Sequence, residues 1–389
     1  YLKGYQMKIV FISNFFNHHQ KYLSDNFYRI TGGNYRFVAT EEMPSERTKL
    51  GYKSFDDVSY VINAIESKKS RNAAIKFIES ADVVIVGSFN QDVISPELFY
   101  KKLHFIYSER PLKKGNSLIK YPVRYCRWHF TDKIFKNAYI LCASAFTYSD
   151  YSKFNMFKNR AYKWGYFPET KKYDIDELMH YKEKSSILWC GRLIDWKHPD
   201  DAVKTAKKLK DDGCNFELNI IGNGNMFDIL SDMIKEYSLD DCVHLLGAKP
   251  SNEVRQYMEK ASLYLFTSDK YEGWGAVLNE AMNSGCAVIA SHIIGAVPYM
   301  LNDGENGYVY HSGNVEELYE KVKQLLDDKD EQNRIGKNAY YTVVNEWNPE
   351  NAAGQLVNLA QQLLNNEKIV DLIENGPCSR ADIIPDNWF

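Results

Sequence analysis

The chain has 389 residues, of which 44% are hydrophobic and 25% charged, and its formal net charge is −3. That length exceeds one ordinary core and fits two domains of a soluble globular protein. No apolar run reaches the roughly 18 residues a membrane-spanning helix needs, and no signal-peptide pattern opens the chain. The seven cysteines are scattered and mostly inside apolar runs, which suits free thiols in a reducing cytoplasm and excludes a disulfide frame or a zinc site. The charge is unevenly spread. Residues 1–180 carry 28 Lys+Arg against 18 Asp+Glu, a balance of +10, which leaves −13 for residues 181–389. A basic half in an acidic protein points to an anionic partner for that half.

In chain order, Tyr1 to Gln6 precede the first strand-like run and stand outside the expected fold. Met7 to Ile12 reads as a buried strand, and the polar Asn14, His18 and His19 follow it. In a doubly wound sheet the loop after the first strand faces the ligand crevice, so these three are candidates to meet a sugar or an acceptor. Further strand-like runs come at 35–39, 58–62, 81–87, 104–107 and 138–142, with a helix-like segment from about Asn72 to Glu79. The alternation predicts a parallel sheet covered on both faces. Ser88 to Asn90 and Ser108 to Arg110 follow two of these strands and point to the same crevice, with Glu109 and Arg110 as candidates for the ligand or as an ion pair with each other.

Residues 101–136 carry ten Lys+Arg against Glu109 and Asp132. Lys120, Arg124 and Arg127 fall at helical spacing beside Tyr121 and Trp128, while Val123, Cys126, Phe130 and Ile134 take the opposite face. A basic, aromatic outer face is what rests on an anionic membrane surface. No nucleic-acid motif accompanies it. An extended, proline-stopped run from Tyr162 to Pro168 and the polar Glu169 to Lys184 are read as the linker between domains. Asp174 and Asp176 form an Asp-x-Asp at the head of a polar helix, a setting for capping and not for a metal.

The second domain opens with Ser186 to Cys190 and then Gly191-Arg192-Leu193, with Lys197 and Pro199 close behind. Two fixed cations at the C-terminal edge of a strand suit a diphosphate. Gly222-Asn223-Gly224 ends the next strand, and Ala248-Lys249 follows the one after. Gly-x-Gly without a third glycine is weak evidence for a dinucleotide. Leu263 to Thr267 is a strand that runs into Glu272-Gly273-Trp274-Gly275-Ala276, and a helix carrying Glu280 comes next. Free amides at a helix start attract anions, and glycines let a ligand approach them. Two carboxylates beside such a site suit a neutral, hydroxyl-rich group, and a phosphate joined to a sugar satisfies both.

Glu272 and Glu280, with the glycine pair after the first and Glu-Ala-Met at the second, resemble the signature of the retaining family-4 glycosyltransferases of GT-B fold. The resemblance runs from about Ile187 to Asp327. It implies an α/β fold of two facing Rossmann-like, doubly wound domains with a cleft between them. Residues 7–168 would bind the acceptor and 185–345 the nucleotide sugar, 346–365 would be a helix crossing back to the first domain, and 366–389 a tail with no assigned role. It further implies that Glu272 meets the donor sugar and Glu280 the ribose. Arg192 and Lys197 neutralise the leaving diphosphate in place of a metal ion, and Gly222, Asn223, Ala248 and Lys249 lie near the nucleotide. Catalysis would then rest on Glu272, Arg192 and Lys197, with no metal and no cofactor. The donor would be a nucleoside-diphosphate sugar, UDP ahead of GDP, and the acceptor a glycan, free or lipid-linked, at the inner face of the membrane. Many family members carry a histidine where Ser108, Glu109 and Arg110 stand here, so that role is not transferred. Two rivals remain: a nucleotide-sugar epimerase of the same fold and a catalytically silent partner subunit.

Overall fold

The computed structural model describes residues 7–44, 58–115, 121–134, 136–365 and 373–389. The chain divides into two compact units, Tyr1–Glu169 with Asn348–Pro385 and Thr170–Trp347 with Asp386–Phe389. The first unit runs β1 (Ile9–Ser13), α1 (His18–Ile30), β2 (Tyr35–Ala39), β3 (Val61–Asn63), α2 (Lys68–Ser80), β4 (Val83–Val86), β5 (Leu103–Ser108), α3 (Tyr121–Ile134), β6 (Ala138–Cys142), α4 (Thr147–Ser152) and β7 (Ala161–Lys163). Its sheet order is β3-β2-β1-β4-β5-β6-β7, and every pair is parallel. All five residues of β1 and all four of β4 are buried, as strands with both faces covered require. The strand order reverses between β1 and β4.

The second unit runs α5 (Ile175–His180), β8 (Glu183–Cys190), α6 (Pro199–Asp211), β9 (Glu217–Ile221), α7 (Phe227–Glu236), β10 (Val243–Gly247), α8 (Ser251–Lys260), β11 (Ala261–Phe266), α9 (Val277–Asn283), β12 (Ala287–Ser291), α10 (Val297–Met300), β13 (Tyr308–Tyr310), α11 (Val315–Asp327) and α12 (Lys329–Asn345). The parallel sheet has the order β10-β9-β8-β11-β12-β13. Its reversal falls between β8 and β11. A core of Ile187, Trp189, Leu218, Ile220, Leu263 and Leu265 joins Val203, Leu230, Leu318 and Val322 from the helices. Burying each such side chain stabilises the unit by about 1.5–3 kcal/mol. The last helix, α13 (Pro349–Leu364), begins at Asn348, whose side chain caps Asn351 N, and packs on α1 within the first unit.

Two readings change. The segment taken as linker belongs to folded units at both of its ends. Residues 161–163 are the seventh strand, and 170–184 pack in the second unit, where Lys182 buries its ammonium against the carbonyls of Met258, Ala261 and Ser284. Asp174 caps α5 by accepting from Asp176 and Glu177 N, both at 3.1 Å, as the capping reading expects. The faces of α3 are rotated from the expected ones. Tyr125 and Trp128 turn inward, Trp128 meeting Phe154 at 4.7 Å, whereas Val123 is 73% exposed. An aromatic pair at i, i+3 buries more surface than valine and cysteine, so it wins the core. Lys120 lies outside the described residues, as do the side chains of Tyr121, Arg127, Phe130 and Ile134.

The tail has a defined course. Cys378 N donates to Lys163 O and Lys163 N to Ser379 O, both at 2.8 Å, and Arg380 bridges Tyr162 in antiparallel sense. The segment thus lies along the outer edge of β7. Residues 386–389 belong to the second unit, where Trp388 Nε1 donates to His292 O at 2.9 Å.

Candidate functional site

The second unit gathers its charged candidates at the strand-order reversal, the place where open α/β sheets bind ligands. β8 ends at Cys190, and the chain turns through Gly191 and the exposed Arg192 into a short 3-10 turn, Asp195–Lys197. Trp196 lies under both cations, with Arg192 at 5.6 Å and Lys197 at 4.9 Å from its ring centroid. Its quadrupole offsets part of their mutual repulsion. From β11 the chain passes through Thr267 and Ser268 to Glu272. Thr267 Oγ1 accepts from Trp189 Nε1 at 2.8 Å and donates to Lys197 O at 2.7 Å, which ties the two loops together. Lys197 Nζ meets Glu272 Oε2 at 2.5 Å, and Ser268 Oγ donates to the same oxygen at 3.0 Å.

Glu280, on α9, is the second carboxylate. Burial pushes the Cys190 thiol up to about 12; the Glu280 carboxylate beside it adds to the rise and the Lys197 ammonium opposes it. Tyr264, whose hydroxyl donates to Cys190 O at 3.0 Å, is likewise raised by burial and then by its charged neighbours, Glu280 among them. Glu280 thus lies within electrostatic reach of the Cys190 thiol and the Tyr264 hydroxyl. Arg255 anchors α9 from behind, donating to Asn283 Oδ1 at 2.9 Å.

The glycines have local reasons. Gly275 has φ +89°, and a Cβ there would stand 2.4 Å from the Phe266 ring. A Cβ on Gly222 would meet the Gly191 carbonyl oxygen at 1.8 Å, and one on Gly224 the Leu193 oxygen at 2.1 Å. The Gly-Asn-Gly turn is therefore the seat on which the cation-bearing loop rests. Gly222 N donates to Gly247 O at 2.9 Å, so the turns carrying Asn223, Ala248 and Lys249 line up along the same edge. Gly273 and Trp274 are buried. Trp274 is a core residue, bonded to Asn279 Oδ1 at 2.9 Å and packed on Trp347 at 5.5 Å, and its carbonyl accepts from Ala296 N at 3.2 Å. Ala276 precedes α9.

In the first unit the candidates are occupied otherwise. Asn14 Oδ1 accepts from Phe15 N at 2.9 Å and closes its own turn. His18 and His19 start α1 behind the Asn17 cap, their rings 4.0 Å apart, with His19 stacked near Tyr166. Glu109 and Arg110 do not pair with each other. Glu109 pairs with Lys113 and accepts from Tyr166 OH at 2.5 Å. Arg110 is 8% exposed and donates to the fully buried Asp150 at 3.1 Å. Burial and the Asp150 pair give Arg110 a place in the packing of the first unit. Sequence reasoning missed Trp196, Ser268 and Asp150; Trp196 and Ser268 lay inside stretches it had singled out, and Asp150 did not.

Residues 171–342 match the family described as Glycosyl transferases group 1. The amylovoran biosynthesis glycosyltransferase AmsK of Erwinia amylovora is 28% identical over 206 residues, 52% of this chain and 50% of that protein, so the chain matches about half the length of this relative. Among solved structures, a glycosyltransferase from Rickettsia africae has a TM-score of 0.68 at 14% identity, with 94% of this chain and 100% of that one covered. Anabaena HepE in complex with UDP has a TM-score of 0.66 at 15% identity, covering 92% and 99%. These likenesses show the fold, which is GT-B.

Proposed function

Starting from a chain that carries a Glycosyl transferases group 1 domain, we propose a retaining hexosyltransferase that moves a sugar from a nucleoside-diphosphate donor to a glycan acceptor. The observation that carries this reading is the Lys197–Glu272 pair joining the loops after β8 and β11, with Arg192 on the Trp196 ring beside it and Glu280 within electrostatic reach of Cys190. The relative named for amylovoran biosynthesis supports an acceptor in polysaccharide assembly. The neighbour bound to UDP supports UDP ahead of GDP.

Breaking the bond between sugar and phosphate builds negative charge on the departing diphosphate. Arg192, Lys197 and the amides at Gly275 and Ala276 stabilise that charge, which arises in the transition state and so lowers the barrier. Glu272, adjacent to Lys197, holds the sugar hydroxyls, and Glu280 holds the ribose. The turns at Gly222, Asn223, Ala248 and Lys249 border the nucleotide. The leaving phosphate takes the acceptor proton on the same face, which retains the anomeric configuration without a metal ion. The first unit presents the acceptor. Its basic surplus over residues 101–136 favours a glycan on an anionic lipid at the inner membrane face, a role that charge alone carries now that Trp128 is turned inward.

A screen of UDP- and GDP-sugars for hydrolysis and transfer by the purified chain tests the reading. One donor turned over, with loss of turnover in Glu272→Gln and full turnover in excess chelator, is the expected result. Normal transfer by Glu272→Gln removes its role, and loss of activity in chelator removes metal independence. Co-sedimentation with anionic but not neutral vesicles is the expected membrane result.

A further inference from the structure

The second sheet has a concavity remote from the charged loops. Ile187, Trp189, Leu218 and Ile220 point into the core, so the alternation of a strand sets Ser186, Leu188 and Asn219 on the opposite face. α8 lies over β8 and β11. Between them is a cavity of about 380 Å³, with Ser186, Leu188 and Asn219 from the strands and Glu253, Gln256 and Tyr257 from α8. Its volume falls in the range of about 300–1,000 Å³ that small-molecule sites occupy. Its β8 lining runs from Ser186, about 13 Å along the strand from Cys190, to Leu188, about 7 Å from it, at ~3.3 Å per residue. The cavity thus lies on the sheet face beneath α8 and not on the strand-end loops.

Nothing among the described residues pairs with the side chains of Asn219, Glu253, Gln256 or Tyr257. Asn219 is a polar residue in the middle of a strand whose neighbours on both sides are core, and no hydrogen bond of the fold uses its amide. Two amides that both donate and accept, a carboxylate that accepts and a hydroxyl that does either match the two-way hydrogen bonding of vicinal hydroxyls. The Tyr257 ring adds an apolar platform with a polar tip. The remaining charges, an exposed Glu183–Lys260 pair at 3.4 Å, leave the lining net acidic, which repels phosphate.

We propose that this cavity is a second carbohydrate site, taking a neutral sugar unit of a glycan while the strand-end site stays free. The proposal concerns binding alone, so it stands or falls independently of the transfer reading.

Saturation-transfer NMR on the full chain, with cellobiose, maltose and N,N'-diacetylchitobiose as probes and UDP present in excess, tests it. The expected result is transfer to at least one disaccharide, reduced at least tenfold by Tyr257→Ala and by Asn219→Ala, retained by Tyr257→Phe and unchanged by Arg192→Ala. Unchanged UDP binding by the Tyr257 and Asn219 variants, and an unshifted thermal unfolding transition for Arg192→Ala, show that each is folded. Absence of transfer from all three probes, transfer indifferent to Tyr257→Ala, or displacement of the sugar by UDP overturns the proposal.

Discussion

The loop after β5 in the first unit and the loops at the strand-order reversal of the second are built from similar residues to opposite ends. In the first unit an arginine and a glutamate follow β5, and each is satisfied inside its own fold: Arg110 by buried Asp150, Glu109 by Lys113 and Tyr166. In the second unit an arginine, a lysine and two glutamates converge where strand order reverses, Arg192 stays exposed, and one indole serves both cations. Charge type does not separate structure from chemistry here. What separates the two arginines is burial: Arg110 lies against Asp150 inside the fold, and Arg192 lies exposed over Trp196.

The comparison breaks most sharply at Asp150. Asp150→Ala leaves the Arg110 guanidinium buried without its counter-charge, and such a loss costs about 3–5 kcal/mol. An earlier unfolding transition in calorimetry is expected, with turnover per folded molecule unchanged; a stable variant would show that the pair is not structural. Arg192→Ala is the converse. Removing one preorganised donor to developing charge lowers turnover roughly 10²–10³-fold, while the unfolding transition stays in place. A shift in stability instead of rate would erase the contrast between the two loops.

Trp196→Leu sharpens the picture on a smaller scale. Loss of cation–π contacts worth about 0.5–2 kcal/mol frees both cations to repel, and UDP affinity by calorimetry falls by up to about tenfold. The smallest effect is acid sensitivity at His292. Its Nδ1 accepts from Ser312 N, so its proton sits on Nε2 and bonds Asp386 O at 3.1 Å. Burial and then the facing His311 hold it below the ordinary imidazole value, against the pull of Glu317, and Lys321 stands at the nearby Phe389 ring. The unfolded chain therefore takes the proton first. Stability contributed by neutral His292 is intact above about pH 6.5 and declines as pH falls through the lower folded value. His292→Gln flattens that decline in thermal melts taken from pH 7.5 to 5.

Much of this was legible before coordinates. Six of the first seven strands stood out as short apolar runs, because strands buried on both faces leave that mark. The seventh, Ala161–Lys163, did not, since three residues carry no periodicity and its partners come from β6 and the distant segment at Arg380. Glu272 and Arg192 stood out beside Gly273 and Gly191, and Glu280 and Lys197 through the family motif that they complete. The destination of Arg110 was hidden, because its partner lies 40 positions away on α4. The faces of α3 were misread because helical spacing alone does not say whether tyrosine and tryptophan or valine and cysteine win the interior.

Residues 378–381 occupy the ladder positions beside β7. Without them, the peptide groups of Ala161 to Lys163 would form an open border, which is where foreign strands dock and oligomers begin. Anyone shortening this polypeptide for crystallisation should therefore cut after that stretch, or expect a sticky preparation.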